Sequence, residues 1–156
     1  MEGLTEAQAG GLFVILAAMG AAAIVICLVW YVLQVIARWK IFTKAGEKGW
    51  KAIIPVYNEY VMYKISWKTM WFWIGIGLIV LYSVFSSLYT NNANGFLGFL
   101  SIVFFLAYIV VSIIQLHKLS KSFGHGVGFT VGLVLLNPIF MLILAFDSSK
   151  YIGAQE

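Results

Sequence analysis

The sequence predicts an all-α, polytopic membrane protein with four transmembrane helices and an amphipathic interfacial helix-turn-helix between spans 1 and 2. Three observations predict it. Of the 156 residues, 62% are hydrophobic and 10% charged, where a soluble domain carries about a quarter charged residues. Mean hydropathy is +0.95. The charges that exist cluster at the ends of apolar runs, where basic residues mark the cytoplasmic side and meet anionic lipid. The net charge of +4 therefore points to a membrane surface and not to nucleic acid. Residues 1–156 fit one membrane domain, with no loop long enough to hold a second.

The first span is expected over about 10–37, a run of 28 residues without a charge, enough to cross a ~30 Å core with tilt. Glu2 and Glu6 precede it and no Lys or Arg does, so it reads as a retained span and not as a secretory signal. Helix is expected to continue past Arg38 and Lys44 and to end on Gly46, a residue suited to the left-handed cap. Ala17, Ala18, Gly20, Ala21 and Ala22 form a small-residue side, fit to pack against the other spans or against a second copy. Cys27 reads as a small apolar residue; one cysteine makes neither a disulfide framework nor a metal site.

Residues 38–69 form the interfacial segment. A helix from Glu47 to Ile54 would put Trp50, Ile53 and Ile54 on one face and Lys48 and Lys51 on the other, with Glu47 one turn before Lys51 in the favourable order for an ion pair. Pro55 is expected to stop that helix. A second short helix, Glu59 to about Ser66, would be capped by Asn58. Tyr57, Tyr60, Tyr63, Trp67, Trp71 and Trp73 supply rings that favour the headgroup level.

The second span is expected over about 70–90 with Thr69 as its cap, followed by an uncharged turn at Asn91–Asn94. The third, about 95–116, carries Ser101, Tyr108, Ser112 and Gln115 along one face. A polar stripe in the bilayer must face protein or water, and Ser83 and Ser87 on the second span are its expected partners. A second basic turn, His117 to His125, leads into Phe123-Gly124-His125-Gly126-Val127-Gly128; no strand precedes it, so it is not a nucleotide loop. The fourth span, about 127–146, contains Asn137-Pro138, expected to kink it, with Asn137 satisfying freed backbone groups. Nine of the ten Lys/Arg fall in the two turns and only Lys150 on the other side, which predicts both termini outside and both basic turns in the cytoplasm.

The pattern Ile41-Phe42-x-Lys44-Ala45-Gly46-x-x-Gly49-Trp50-x-Ala52-Ile53-Ile54-Pro55-x-Tyr57-Asn58, with Ser122-Phe123-Gly124-x-Gly126 and the later Gly132, Phe140, Phe146 and Tyr151, resembles a family of small bacterial membrane proteins of unknown function. The likeness covers residues 36 to 153. It implies a multi-pass protein of the bacterial inner membrane and brings no catalytic residues with it. Its motif positions Gly46, Gly49, Pro55, Tyr57, Asn58, Phe123, Gly124 and Pro138 are taken as structural. Members are sometimes labelled signal peptidase I, a chemistry that needs a serine activated by a lysine base. Ser66 lies beside Lys64 and Lys68 but on the cytoplasmic side by charge, and Ser148 and Ser149 beside Lys150 lack a fold to hold an extended peptide.

Three functional readings follow. In the first, a non-enzymatic component docks to anionic inner-leaflet lipid or a protein partner through Lys44, Lys48, Lys51, Lys64 and Lys68, anchored by Trp50, Ile53 and Ile54; a homo-oligomer or larger membrane complex fits this role. In the second, Ser101, Tyr108, Ser112, Gln115 and Asn137 line a polar route for a small neutral or polar solute, opened by the Pro138 kink. In the third, a lipid-directed enzyme gathers Tyr57, Asn58, His117 and His125 at the interface. No charged residue lies inside a span, which argues against proton pumps and voltage sensors. No metal and no cofactor is expected, since two histidines at one turn do not make a cluster.

Overall fold

A computed structural model of the chain describes residues 6–155, with side chains from residue 10 onward. The described residues form α1 (Glu6–Lys44), a 3₁₀ turn (Gly49–Ala52), α2 (Pro55–Ser66), α3 (Thr69–Asn92), α4 (Gly95–Ser122), α5 (Val127–Leu135) and α6 (Asn137–Phe146). Three helices are long and apolar enough to cross a membrane: Gly10–Lys44, Thr69–Asn92 and Gly95–Ser122.

The ends of these helices follow from local chemistry. Gly46, at φ +78°, sits in the left-handed region. The Glu47 N–H donates to Phe42 O at 2.8 Å and the Gly46 N–H to Thr43 O at 3.1 Å, the paired closure that a glycine after the last turn permits. The same closure ends α4, where Gly124 is at φ +78° and the His125 N–H donates to Ser120 O at 3.0 Å. Between α3 and α4, the Asn94 side chain accepts from the Phe96 N–H at 3.0 Å and caps α4.

The expected fourth span is not one kinked helix. Leu136, at φ −130° and ψ 48°, breaks it, and Pro138 stands in the first turn of α6, where its missing N–H costs nothing. The two pieces fold back on each other. Phe129 and Phe140 meet edge to face at 5.2 Å between ring centroids, and a Cβ on Gly132 would overlap the Phe140 ring. His125 Nε2 lies 2.9 Å from Asp147 Oδ2; in a straight helix 22 residues would separate them by about 33 Å. The C-terminal tail therefore lies at the same end as the basic segment, not across from it. The Tyr151 hydroxyl donates to Ile65 O at 2.9 Å, the Ile152 N–H to Ser122 O at 2.8 Å and the Gln155 N–H to Ser66 O at 3.0 Å.

The interfacial segment also departs from expectation. Only Gly49–Ala52 winds, as 3₁₀, and Pro55 opens a helix at its first position instead of stopping one. Asn58 lies within α2 and caps nothing; its amide donates to Ala52 O at 3.2 Å, and its carbonyl oxygen accepts from Arg38. Lys68, not Thr69, occupies the cap position of α3.

The core sits where these pieces converge. Ala37, Ile41 and Phe42 of α1, Val61 of α2, Leu119 of α4, Leu133 of α5 and Leu144 of α6 are fully buried there. α3 and α4 pair along their lengths, with Phe85 on Phe104 at 5.4 Å and Tyr82 on Phe105 at 5.3 Å. Residues 10–33 of α1 are exposed throughout. Ala17, Ala18, Gly20, Ala21 and Ala22 thus touch no other span among the described residues, and Cys27 is a free, exposed thiol.

Candidate functional site: the lysine-bearing end

Three acids lie between residues 10 and 155, Glu47, Glu59 and Asp147, and each meets a basic partner at this end. Glu47 receives Lys51 and, at 2.7 Å, Lys64. The bond from Lys51, then that from Lys64, holds the Glu47 carboxyl below its ordinary value. Reciprocally, Glu47 raises Lys51. The Glu47–Lys51 pair forms as the sequence predicted, though Glu47 lies outside any helix.

Asp147 is the second junction. Burial pushes its carboxyl up, but bonds from Lys44, Ser149 and His125 outweigh this and hold it low. Lys44 Nζ also donates to Leu144 O at 2.7 Å and Asp147 O at 2.8 Å, satisfying carbonyls at the end of α6. Lys44 is thus committed inside the fold. The third junction joins Arg38 Nη1 to Glu59 Oε1 at 2.7 Å and to the Asn58 amide oxygen.

Lys40, Lys48, Lys64, Lys68, Lys121 and Lys150 are exposed, Lys64 while bonded to Glu47 and Lys40 over the Phe146 ring. Beside them Trp50, Ile53 and Ile54 are 47%, 53% and 45% exposed, so the apolar anchor faces outward even without the expected helix. Trp50 stacks on Tyr57 at 6.3 Å and Tyr57 on Tyr60 at 5.9 Å, and Tyr60 meets Phe72 edge-on at 5.5 Å. Trp67 stacks on Trp71 at 4.4 Å. The rings form a band from the 3₁₀ turn to the start of α3. Gly49 belongs to this geometry, because a Cβ there would overlap the Trp39 indole.

The residues read as a polar route bond locally. Ser101 donates to Gly98 O at 2.7 Å and Ser112 to Tyr108 O at 2.9 Å, each on its own helix. Ser83, an expected partner, donates to Ile79 O at 2.8 Å. Gln115 reaches instead the buried Ser66 of α2, its amide 3.1 Å from Ser66 Oγ. Ser66 in turn donates to Met62 O at 2.7 Å, so it is a packing hydroxyl, not a serine held by lysine. Asn137 occupies the first position of α6, beside the Leu136 break. The two histidines part company: His117 Nδ1 lies 2.9 Å from Thr130 Oγ1 and His125 joins Asp147. Among the described residues no three His, Cys, Asp or Glu gather as a metal would need.

The sequence reasoning missed the Arg38–Glu59–Asn58 junction. Its signal was available: Arg38 is the first charge after the long apolar run, and Glu59 is the one acid of α2.

Residues 50–154 match a family of unknown function, DUF5684. No curated protein and no solved structure matches the chain.

Proposed function

The chain belongs to DUF5684, a family of unknown function, and we propose that it is a non-enzymatic integral membrane protein that docks to anionic lipid of the inner leaflet through its lysine-bearing end. The observation that carries this reading is the pairing of outward Lys48, Lys64, Lys68 and Lys121 with the exposed apolar Trp50, Ile53 and Ile54. Cations beside apolar and aromatic side chains suit the plane where headgroups give way to acyl chains.

The topology goes with it. α1, α3 and α4 cross the bilayer. The α5–α6 pair, 9 and 10 residues long, dips into one leaflet and returns, since helices of ~15 Å cannot cross a ~30 Å core. The N-terminus then lies outside, and the C-terminal tail in the bacterial cytoplasm with the lysines.

Lipid exchange in nanodiscs of mixed phosphatidylglycerol and phosphatidylcholine tests the docking. Lys48→Gln and Lys68→Gln should each lower the anionic enrichment around the protein about fivefold, from ~1 kcal/mol per lysine. Unchanged enrichment in the double variant would sink the reading. In a Cys27→Ser background, cysteines at positions 48 and 148 should label from the same side of sealed vesicles; labelling from opposite sides would overturn the topology.

A further inference from the structure

A cavity of about 290 Å³ opens between α1 and the start of α2, with Tyr31, Gln34, Arg38, Pro55, Asn58 and Glu59 in its wall. It presents one positive and one negative group side by side, the Arg38 and Glu59 side chains being 27% and 48% exposed. Both guanidinium bonds to protein leave from Nη1, so among the described residues Nη2 and Nε remain for a ligand, as does Glu59 Oε2.

Two further observations identify the medium that reaches it. Arg38 is the first charge after the run 10–37, which sets it where the span leaves the hydrocarbon. Tyr31, 54% exposed, joins the wall to the bare lipid-facing side of α1. Across the start of α2 a second cavity of about 360 Å³ shares Pro55 and Glu59 and is otherwise walled largely by apolar groups, among them Val56, Phe72 and Ile79.

We propose that this is a site for a zwitterionic phospholipid with a primary ammonium, of the phosphatidylethanolamine class. The phosphate meets the free guanidinium donors, the ammonium donates to Glu59, and an acyl chain lies along Val56 and Ile79. The charges of the wall cancel, so an anionic headgroup gains from Arg38 only to be repelled by Glu59. A headgroup carrying both signs gains at each. A choline headgroup has both charges but no N–H to give the carboxylate, which makes ethanolamine the better fit. The site is separate from the outward lysines, and its fate does not depend on theirs.

Native mass spectrometry of the full chain in detergent, titrated with ethanolamine, choline and glycerol phospholipids of matched acyl chains, tests it. The ethanolamine lipid should bind about tenfold tighter than the choline lipid or more, the scale of one charge-assisted hydrogen bond. Glu59→Gln, which keeps shape and the acceptor toward Arg38, should abolish that preference, weakening the ethanolamine lipid more than the choline lipid until the two bind alike. Arg38→Gln should weaken both lipids, with thermal unfolding verifying its fold, and Lys48→Gln with Lys68→Gln should change neither. Equal binding of the two zwitterionic lipids to the native protein, or a preference that survives Glu59→Gln, would overturn the proposal. Displacement of the lipid by equimolar soluble O-phosphorylethanolamine would overturn its assignment to a lipid.

Discussion

The fold-back of α5 on α6 turns on one missing methyl group. Gly132→Ala would place a Cβ within the Phe140 ring, and overpacking of this kind costs ~1–3 kcal/mol. Losing the Phe129–Phe140 edge contact adds ~0.5–1.5 kcal/mol. Alanine's better helix propensity returns about 1 kcal/mol. The net destabilisation is therefore ~0.5–3.5 kcal/mol. Phe140→Ala alone removes the obstacle and leaves a gap; because Phe140 is only partly buried, its cost is about half the ~3–5 kcal/mol of a core phenylalanine. In the double variant the new methyl moves into vacated space, so the two effects should fall short of their sum by at least ~1 kcal/mol. Denaturant unfolding in detergent, followed by near-ultraviolet circular dichroism, measures the cycle. Additivity within ~0.5 kcal/mol would mean that the two residues do not touch, and the hairpin would go with them.

Two other perturbations follow from the lysine-bearing end. Glu47 is held low by Lys51 and Lys64, so its contribution to stability is complete above its ordinary value of 4.5 and is lost as pH falls below it. The melting temperature should decline on acidification past that value, and Glu47→Gln should flatten this part of the profile; coincident profiles for the two proteins would refute the assignment. Gly46→Ala forces a side chain into a left-handed residue at φ +78° and should cost ~1 kcal/mol, with Gly46→Asn milder. A variant as stable as the native chain would show that the closing turn can relax.

The three helices long and apolar enough to cross a membrane were legible because a long charge-free run has few alternatives in water or lipid. The left-handed ends at Gly46 and Gly124 followed from glycine placed after the last apolar turn, and only the first was anticipated. Residues 127–146 misled because twenty uncharged, mostly apolar residues fit one span or two half-length helices equally well. The period of hydrophobicity is the same in both, and Pro138 marks a kink and a fresh start alike. Pro55 was ambiguous in the same way, since proline both ends a helix and suits its first position. The charge count placed Lys150 opposite the other basic residues only because it assumed a fourth crossing. At the candidate site, Trp50, Ile53 and Ile54 are exposed, but on a 3₁₀ turn and the residues after it instead of on the expected helix, and of the five lysines named there Lys44 and Lys51 turn inward to acids. The commitment of Lys44 to Asp147 depends on the fold-back and could not be seen without it.

The seam at which the family match begins, residue 50, runs through the middle of the core. Ala37, Ile41 and Phe42 are sealed completely from solvent, yet they stand upstream of that seam. A polypeptide started there would keep five of the six helices and lose the one against which α6, α2 and the 3₁₀ turn pack. It would uncover the α6 side that holds Leu144, and strip Asp147 and Glu59 of Lys44 and Arg38. Cutting the chain at residue 34 instead would spare that core, and would remove the first apolar run together with Tyr31 of the cavity wall.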